Sequence, residues 1–143
     1  MSGKILNLLE RRRFEFSYLT GSTSQGVTIA PMIDVCGYGY VALYARVHAR
    51  SMASGQSLNF NVYNILPSDE DAREFVETDS TGAPISLFTV SITSAQPAIV
   101  PGMYSNASTS GPYVKLVLTA TQASSPATFY AEVSLLLHMR ESR

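Results

Sequence analysis

Apolar and polar residues alternate with period two through most of the chain, the pattern of strands with one buried face. In "ATFYAEVSLLLHMR", Ala127, Phe129, Ala131, Val133, Leu135, Leu137 and Met139 share one face. Thr128, Tyr130, Glu132, Ser134, Leu136, His138 and Arg140 share the other. A helix would scatter those apolar residues around its circumference. "YGYVALYARVHAR" repeats the pattern, with Val41, Leu43, Ala45, Val47 and Ala49 inward and Tyr40, Tyr44, Arg46, His48 and Arg50 outward. Val114, Leu116, Leu118 and Ala120 form another inward row, as do Leu58, Phe60 and Val62, and Phe88, Val90 and Ile92. Shorter cases are Phe14, Phe16 and Tyr18, and Val27, Ile29, Ile33 and Val35, where Pro31 signals an edge, a bulge or a break.

Turn-forming stretches separate these rows: "TGSTSQG", "CGYG", "SMASGQ", "TDSTGAP", "SNASTSGP" and "QASSP". The expected fold is therefore all-β, a single antiparallel β-sandwich or jelly roll of about eight strands. Clean alternation argues against an all-parallel sheet, whose strands are apolar on both faces.

Two segments break the pattern. Ile5, Leu8 and Leu9 have the i, i+3, i+4 spacing of a short amphipathic helix, followed by Arg11, Arg12 and Arg13. Residues 1–13 are accordingly expected to form an N-terminal arm beside a sandwich domain of 14–143. In "PSDEDAREFVETD", Ser68 is a candidate N-cap, with Asp69, Glu70 and Asp71 in the first turn against the helix dipole. A short helical crossover near 68–76 is expected there.

Composition narrows the function. Charged residues make up 15% of the chain, against roughly 25% in a typical soluble domain. With 45% hydrophobic residues, this suggests a surface partly covered by a partner or by further copies. The net charge of −1 argues against a nucleic-acid partner. No stretch approaches the roughly 18 apolar residues of a membrane-spanning helix, so no membrane partner is expected. Cys36 is the lone cysteine, read as a small core residue, and it rules out an internal disulfide.

Candidate chemistry is sparse. Asp69 and Asp71 begin like an EF-hand loop, but Glu74 and Ser80 stand where a Gly and a bidentate Glu are required. Asp34 is read as a strand-end residue facing water or bonding the turn of Cys36 to Gly39. His48 and His138 lie on outward faces with no third ligand at metal-binding spacing. GxSxG, Walker and GxGxxG motifs are missing. No enzymatic activity, cofactor or metal is expected. Tyr38, Tyr40, Tyr104 and Tyr113, near expected strand ends and loops, leave a carbohydrate- or ligand-binding sandwich, for tail or fibre adhesion, as the alternative.

The layout resembles small structural proteins of tailed bacteriophages, especially capsid decoration (auxiliary head) proteins. It rests on the leading "MSGKILNLLERRR", a compact β region rich in Ser, Thr and Gly loops, and a last strand at the C-terminal end. "TIAPMIDVCGYGYVALYARVH" followed by "LNFNVYNILPSDEDAREF" is similar to short virion-type sequences. The resemblance covers most of residues 14–140. It implies a virion protein made in a host cytoplasm, binding itself, with a trimer favoured, and a capsid or other virion protein. Ile5, Leu6, Leu8, Leu9, Arg11, Arg12 and Arg13 would then be the partner-binding residues. An arm of that kind implies that removing 1–13 leaves the sandwich folded and weakens assembly.

Overall fold

The computed structural model describes residues 3–17, 24–67, 74–109, 112–122 and 128–141. They form nine strands: β1 (Gly3–Phe16), β2 (Ser24–Asp34), β3 (Tyr40–Ser51), β4 (Gln56–Pro67), β5 (Glu74–Val76), β6 (Phe88–Thr93), β7 (Val100–Ser108), β8 (Tyr113–Gln122) and β9 (Phe129–Arg140). One sheet has the order β1-β9-β3-β7. The other has β2-β8-β4-β5, with β6 also paired to β4.

Pairing is nested from the two ends of the chain inward. β1 pairs with β9, β2 with β8, β3 with β7, and β4 with β6, all antiparallel. One long ribbon is thus folded over on itself, and the β3–β9 and β4–β8 pairs close each sheet. This is the jelly-roll arrangement, two sheets face to face with the chain crossing repeatedly between them.

The alternating rows become the core. Leu43, Phe129, Leu135, Leu137 and Met139 of the four-stranded sheet are fully buried, as are Leu58, Phe60, Ile92, Leu116 and Leu118 of the other. Phe14 and Phe60 meet edge to face across the sandwich at 6.0 Å. Full burial of each such side chain contributes about 1.5–3 kcal/mol. Pro31 lies where β2 shifts register against β8 at the sheet edge, as its chemistry demands.

Five expectations differ from the structure. The helix spacing of Ile5, Leu8 and Leu9 comes from a bulged strand. β1 shifts register against β9 between Asn7 and Leu9 and again between Leu9 and Arg12, so the period-two pattern is interrupted. Residues 3–13, expected as an arm, are therefore the first part of β1, paired with β9 from Gly3↔Arg140 onward. "SNAS" belongs to β7 and is not a loop. Cys36 is exposed, not in the core. Of the expected crossover at 68–76, positions 68–73 lie outside the described residues, and Glu74–Val76 is a strand.

Two glycines shape the turn between β2 and β3. Gly37 has φ of 87°, a left-handed conformation that side chains disfavour. Gly39 lies so close to the backbone carbonyl of Glu141 that a Cβ there would be 2.9 Å from its oxygen. The turn is stitched further by the Cys36 amide donating to Asp34 Oδ1 at 2.9 Å, which matches the expected role of Asp34. The Gly39 amide donates to the Glu141 carbonyl, and Thr109 donates to the carbonyls of Gly39 and Tyr38.

Candidate functional site

The two outer faces of the sandwich differ in how much chemistry they leave available. On the five-stranded sheet, Asn59 and Asn61 of β4 form a ladder with their neighbours. Ser91 Oγ donates to Asn59 Oδ1, and Thr89 Oγ1 to Asn61 Oδ1, both at 2.8 Å. The Asn61 amide donates to Thr119 Oγ1 at 3.2 Å. These polar groups satisfy one another.

The four-stranded sheet carries a groove of about 550 Å³ on its outer face. Its floor is β9 and β3, which contribute Ser134, Leu136, His138, Tyr44 and Arg46. Ile5, Asn7 and Glu10 of β1 form one wall, and Pro101 and Gly102 of β7 the other. Tyr44 and Tyr104 are register partners on adjacent strands, and their rings stack at 5.2 Å. Tyr104 is 61% exposed. Arg46 donates through Nε to the Pro101 carbonyl at 2.9 Å, which fixes that wall.

A Ser–His pair lies on the same face. His48 Nε2 and Ser134 Oγ are 2.7 Å apart, and the Arg11 amide donates to the same oxygen at 2.9 Å. Glu132, the neighbouring carboxylate, bonds Arg11 Nε. That hydrogen bond, assisted by the charges of Arg11, His48 and Arg13, holds Glu132 below the usual carboxylate range. In a nucleophilic triad the third group orients the histidine; here the carboxylate is engaged by an arginine. Among the described residues, no group of three or more His, Cys, Asp or Glu is arranged to hold a metal ion.

The residues expected to bind a partner are distributed along β1. Ile5 is exposed, while Leu6, Leu8 and Leu9 are partly buried against the core. Arg11 pairs with Glu132. Arg12 covers the Phe14 ring at 4.9 Å. Arg13 bonds Glu15 at 2.9 Å and covers the Tyr130 ring at 3.7 Å. The arginine cluster thus ties β1 to β9 and to itself through ion pairs and cation–π contacts. Of the tyrosines considered for ligand binding, Tyr40 is buried beneath Arg140, whose guanidinium is 4.3 Å from the ring centre. Tyr38 and Tyr113 are half-buried, and only Tyr104 borders the groove region as an open ring. The groove itself is not legible in the sequence, because "VPGMYSNAS" of β7 lacks the apolar alternation of a strand. The outward row Tyr44, Arg46, His48 held the available signal.

No family model matches the chain, and no curated protein matches it. Solved structures match in fold. One is the structure of the infectious bursal disease virus Gx strain, with a TM-score of 0.54 and 10% identity over 96% of this chain. Another is the infectious bursal disease virus VP2 subviral particle, with a TM-score of 0.53 and 13% identity over 98% of this chain. The chain spans 31% and 33% of those two proteins' lengths, about a third. At that identity the likeness is one of fold: a jelly roll that in those proteins forms part of a longer chain.

Proposed function

We propose that this protein is a non-enzymatic structural subunit of a virus-type particle. The observation that carries the reading is the nested strand pairing, a jelly roll whose fold is similar to that of virus-particle proteins. Low charge supports it, because a repeated unit covers part of its surface with other copies. The more specific form is a phage capsid decoration protein that stabilises a shell as a homo-oligomer, with a trimer favoured. Jelly rolls serve many roles, so fold alone does not choose among them.

The direct test is light-scattering mass of the purified protein over a hundredfold range of concentration (about two decades), with electron microscopy of the same samples. A closed, symmetric oligomer or particle is expected. A monomer throughout would overturn the reading.

The groove supports one alternative, a carbohydrate-binding module for adhesion. Stacked Tyr44 and Tyr104, with Asn7, Glu10, Arg46 and His138 nearby, combine a ring surface with hydrogen-bonding groups. Thermal shifts with a panel of neutral glycans, lost in Tyr44→Ala, would favour it over the particle reading.

A further inference from the structure

The distribution of charge along the chain is uneven, and the fold turns that into a difference between two flanks. From Ser80 to Val114 there is no Asp, Glu, Lys, Arg or His. This stretch builds β6, β7 and the connection between them. It also carries three of the exposed large apolar or aromatic side chains: Ile85, Ile99 at 66% exposure, and Tyr104.

β7 is the last strand of its sheet, and no described strand pairs with its far side. Every second amide and carbonyl of an edge strand points away from its neighbour, which makes the edge a template for another strand. Other edges of the sandwich carry features that oppose such pairing. β1 has two register shifts, a positive φ at Arg11, and Lys4, Glu10, Arg11, Arg12, Arg13 and Glu15. β2 has two register shifts around Pro31 and ends in Asp34. On β6 the Gln96 side chain occupies backbone groups of the edge, donating to the Ser91 carbonyl at 2.9 Å and accepting from the Thr93 amide at 2.8 Å. β7 has none of these between Met103 and Ser108, where its register against β3 runs unbroken from Ala45↔Met103 to Tyr40↔Ser108.

We infer that β7 is the contact between two copies of this chain, pairing antiparallel with β7 of the second copy across a two-fold axis. The four-stranded sheets then continue into one another. A second copy fits the surface because a two-fold sets the same uncharged segment opposite itself, with no buried charge left unpaired. Tyr104, Asn106 and Ser108, which are exposed in the single chain, lie on the shared outer face of the joined sheet. The inference rests on the particle-subunit reading and specifies one of its contacts.

The test is hydrogen exchange of the full chain with light-scattering mass, over a concentration series, on wild type and on N106K/S108K. Lysines on an exposed edge are compatible with the fold of the single chain, but they set like charges against each other in the pair. Alternate amides of 103–108 are expected to gain protection as wild type associates. The lysine pair should raise the concentration for half-association more than about tenfold. Lys4→Gln, on the opposite edge, should leave that concentration unchanged, and far-ultraviolet circular dichroism should report the same strand content in all three proteins. An oligomer whose mass is unchanged by N106K/S108K, or whose 103–108 amides exchange as freely as in the monomer, overturns the β7 contact and leaves the particle reading standing. A wild type that stays monomeric overturns both.

Discussion

Gly37 and Gly39 stand two residues apart in one turn, yet they are required for different reasons, and substitutions separate them. At Gly37 the backbone φ of 87° is the constraint, and a Cβ there would meet nothing within 4 Å. Gly37→Ala should therefore cost the left-handed penalty, about 1–2 kcal/mol. Gly37→Asn should cost less, under about 1 kcal/mol, because Asn tolerates that region. At Gly39 the constraint is space. A Cβ would sit 2.9 Å from the Glu141 carbonyl oxygen, a backbone atom that cannot swing aside. Gly39→Ala must push the β2–β3 turn away from the end of β9, at the cost of an overpacked site, about 1–3 kcal/mol. Asn should be no better than Ala there. Urea unfolding with the slope held equal gives each difference directly. Each kcal/mol should also lower Tm by about 3–5 °C in a chain of this length. Equal stability of Gly39→Ala and wild type, or a Gly37→Asn as damaging as Gly37→Ala, would refute the assignment of clash to one glycine and conformation to the other.

Further predictions address the core, the first strand and the acid limit. Phe60→Ala, at a fully buried ring in contact with Phe14, should cost about 3–5 kcal/mol in urea unfolding. Deleting residues 1–13 should lower stability outright, because it uncovers Leu137 and its neighbours on β9; a truncation that unfolds at the wild-type urea concentration would restore the picture of a dispensable arm. Asp79 accepts hydrogen bonds from the side chain and amide of Thr81 and from the amide of Ala83, and these hold it below the usual carboxylate range. A depressed carboxylate stabilises above its unfolded pKa and loses that effect as pH falls through its folded value. The stability difference between wild type and Asp79→Asn should therefore be largest near about pH 7 and shrink toward about pH 3, measured by urea midpoints.

The alternating rows of β3, β4, β6, β8 and β9 are legible in the sequence, since each inward row is buried where it is expected, apart from Ala49, which is half-buried, and Ala127, which lies outside the described residues. Three features were hidden for separate physical reasons. β1 carries bulges, and a bulge adds a residue to the repeat, so Ile5, Leu8 and Leu9 imitate a helical stripe. β7 is built from "VPGMYSNAS", whose Pro, Gly, Ser and Asn are poor strand formers in isolation. Its pairing with β3 decides its conformation, and sequence propensity does not register a neighbour that arrives from more than fifty positions away, as in Tyr44↔Tyr104. Tyr40 belongs to the outward row by parity, yet it is buried, because the Arg140 guanidinium covers its ring. The candidate groove depends on β1 and β7 as walls, so it could not be read until both were strands.

Because Gly3 is the register partner of Arg140, their Cα atoms lie about 4.5–5.5 Å apart. A linker of a few residues could join them, which makes the sandwich a closed ring of strands. The ring can be reopened in the exposed turn of Asp79 to Ala83, giving a circular permutant with the same set of strand pairs. In that permutant the β1–β9 pair becomes a local hairpin, whereas in the present order it joins the two described strands farthest apart in sequence. Contacts between neighbours in sequence form faster than those between distant segments. The permutant should thus reach the same fold by a different order of events, with the β1–β9 hairpin able to form early.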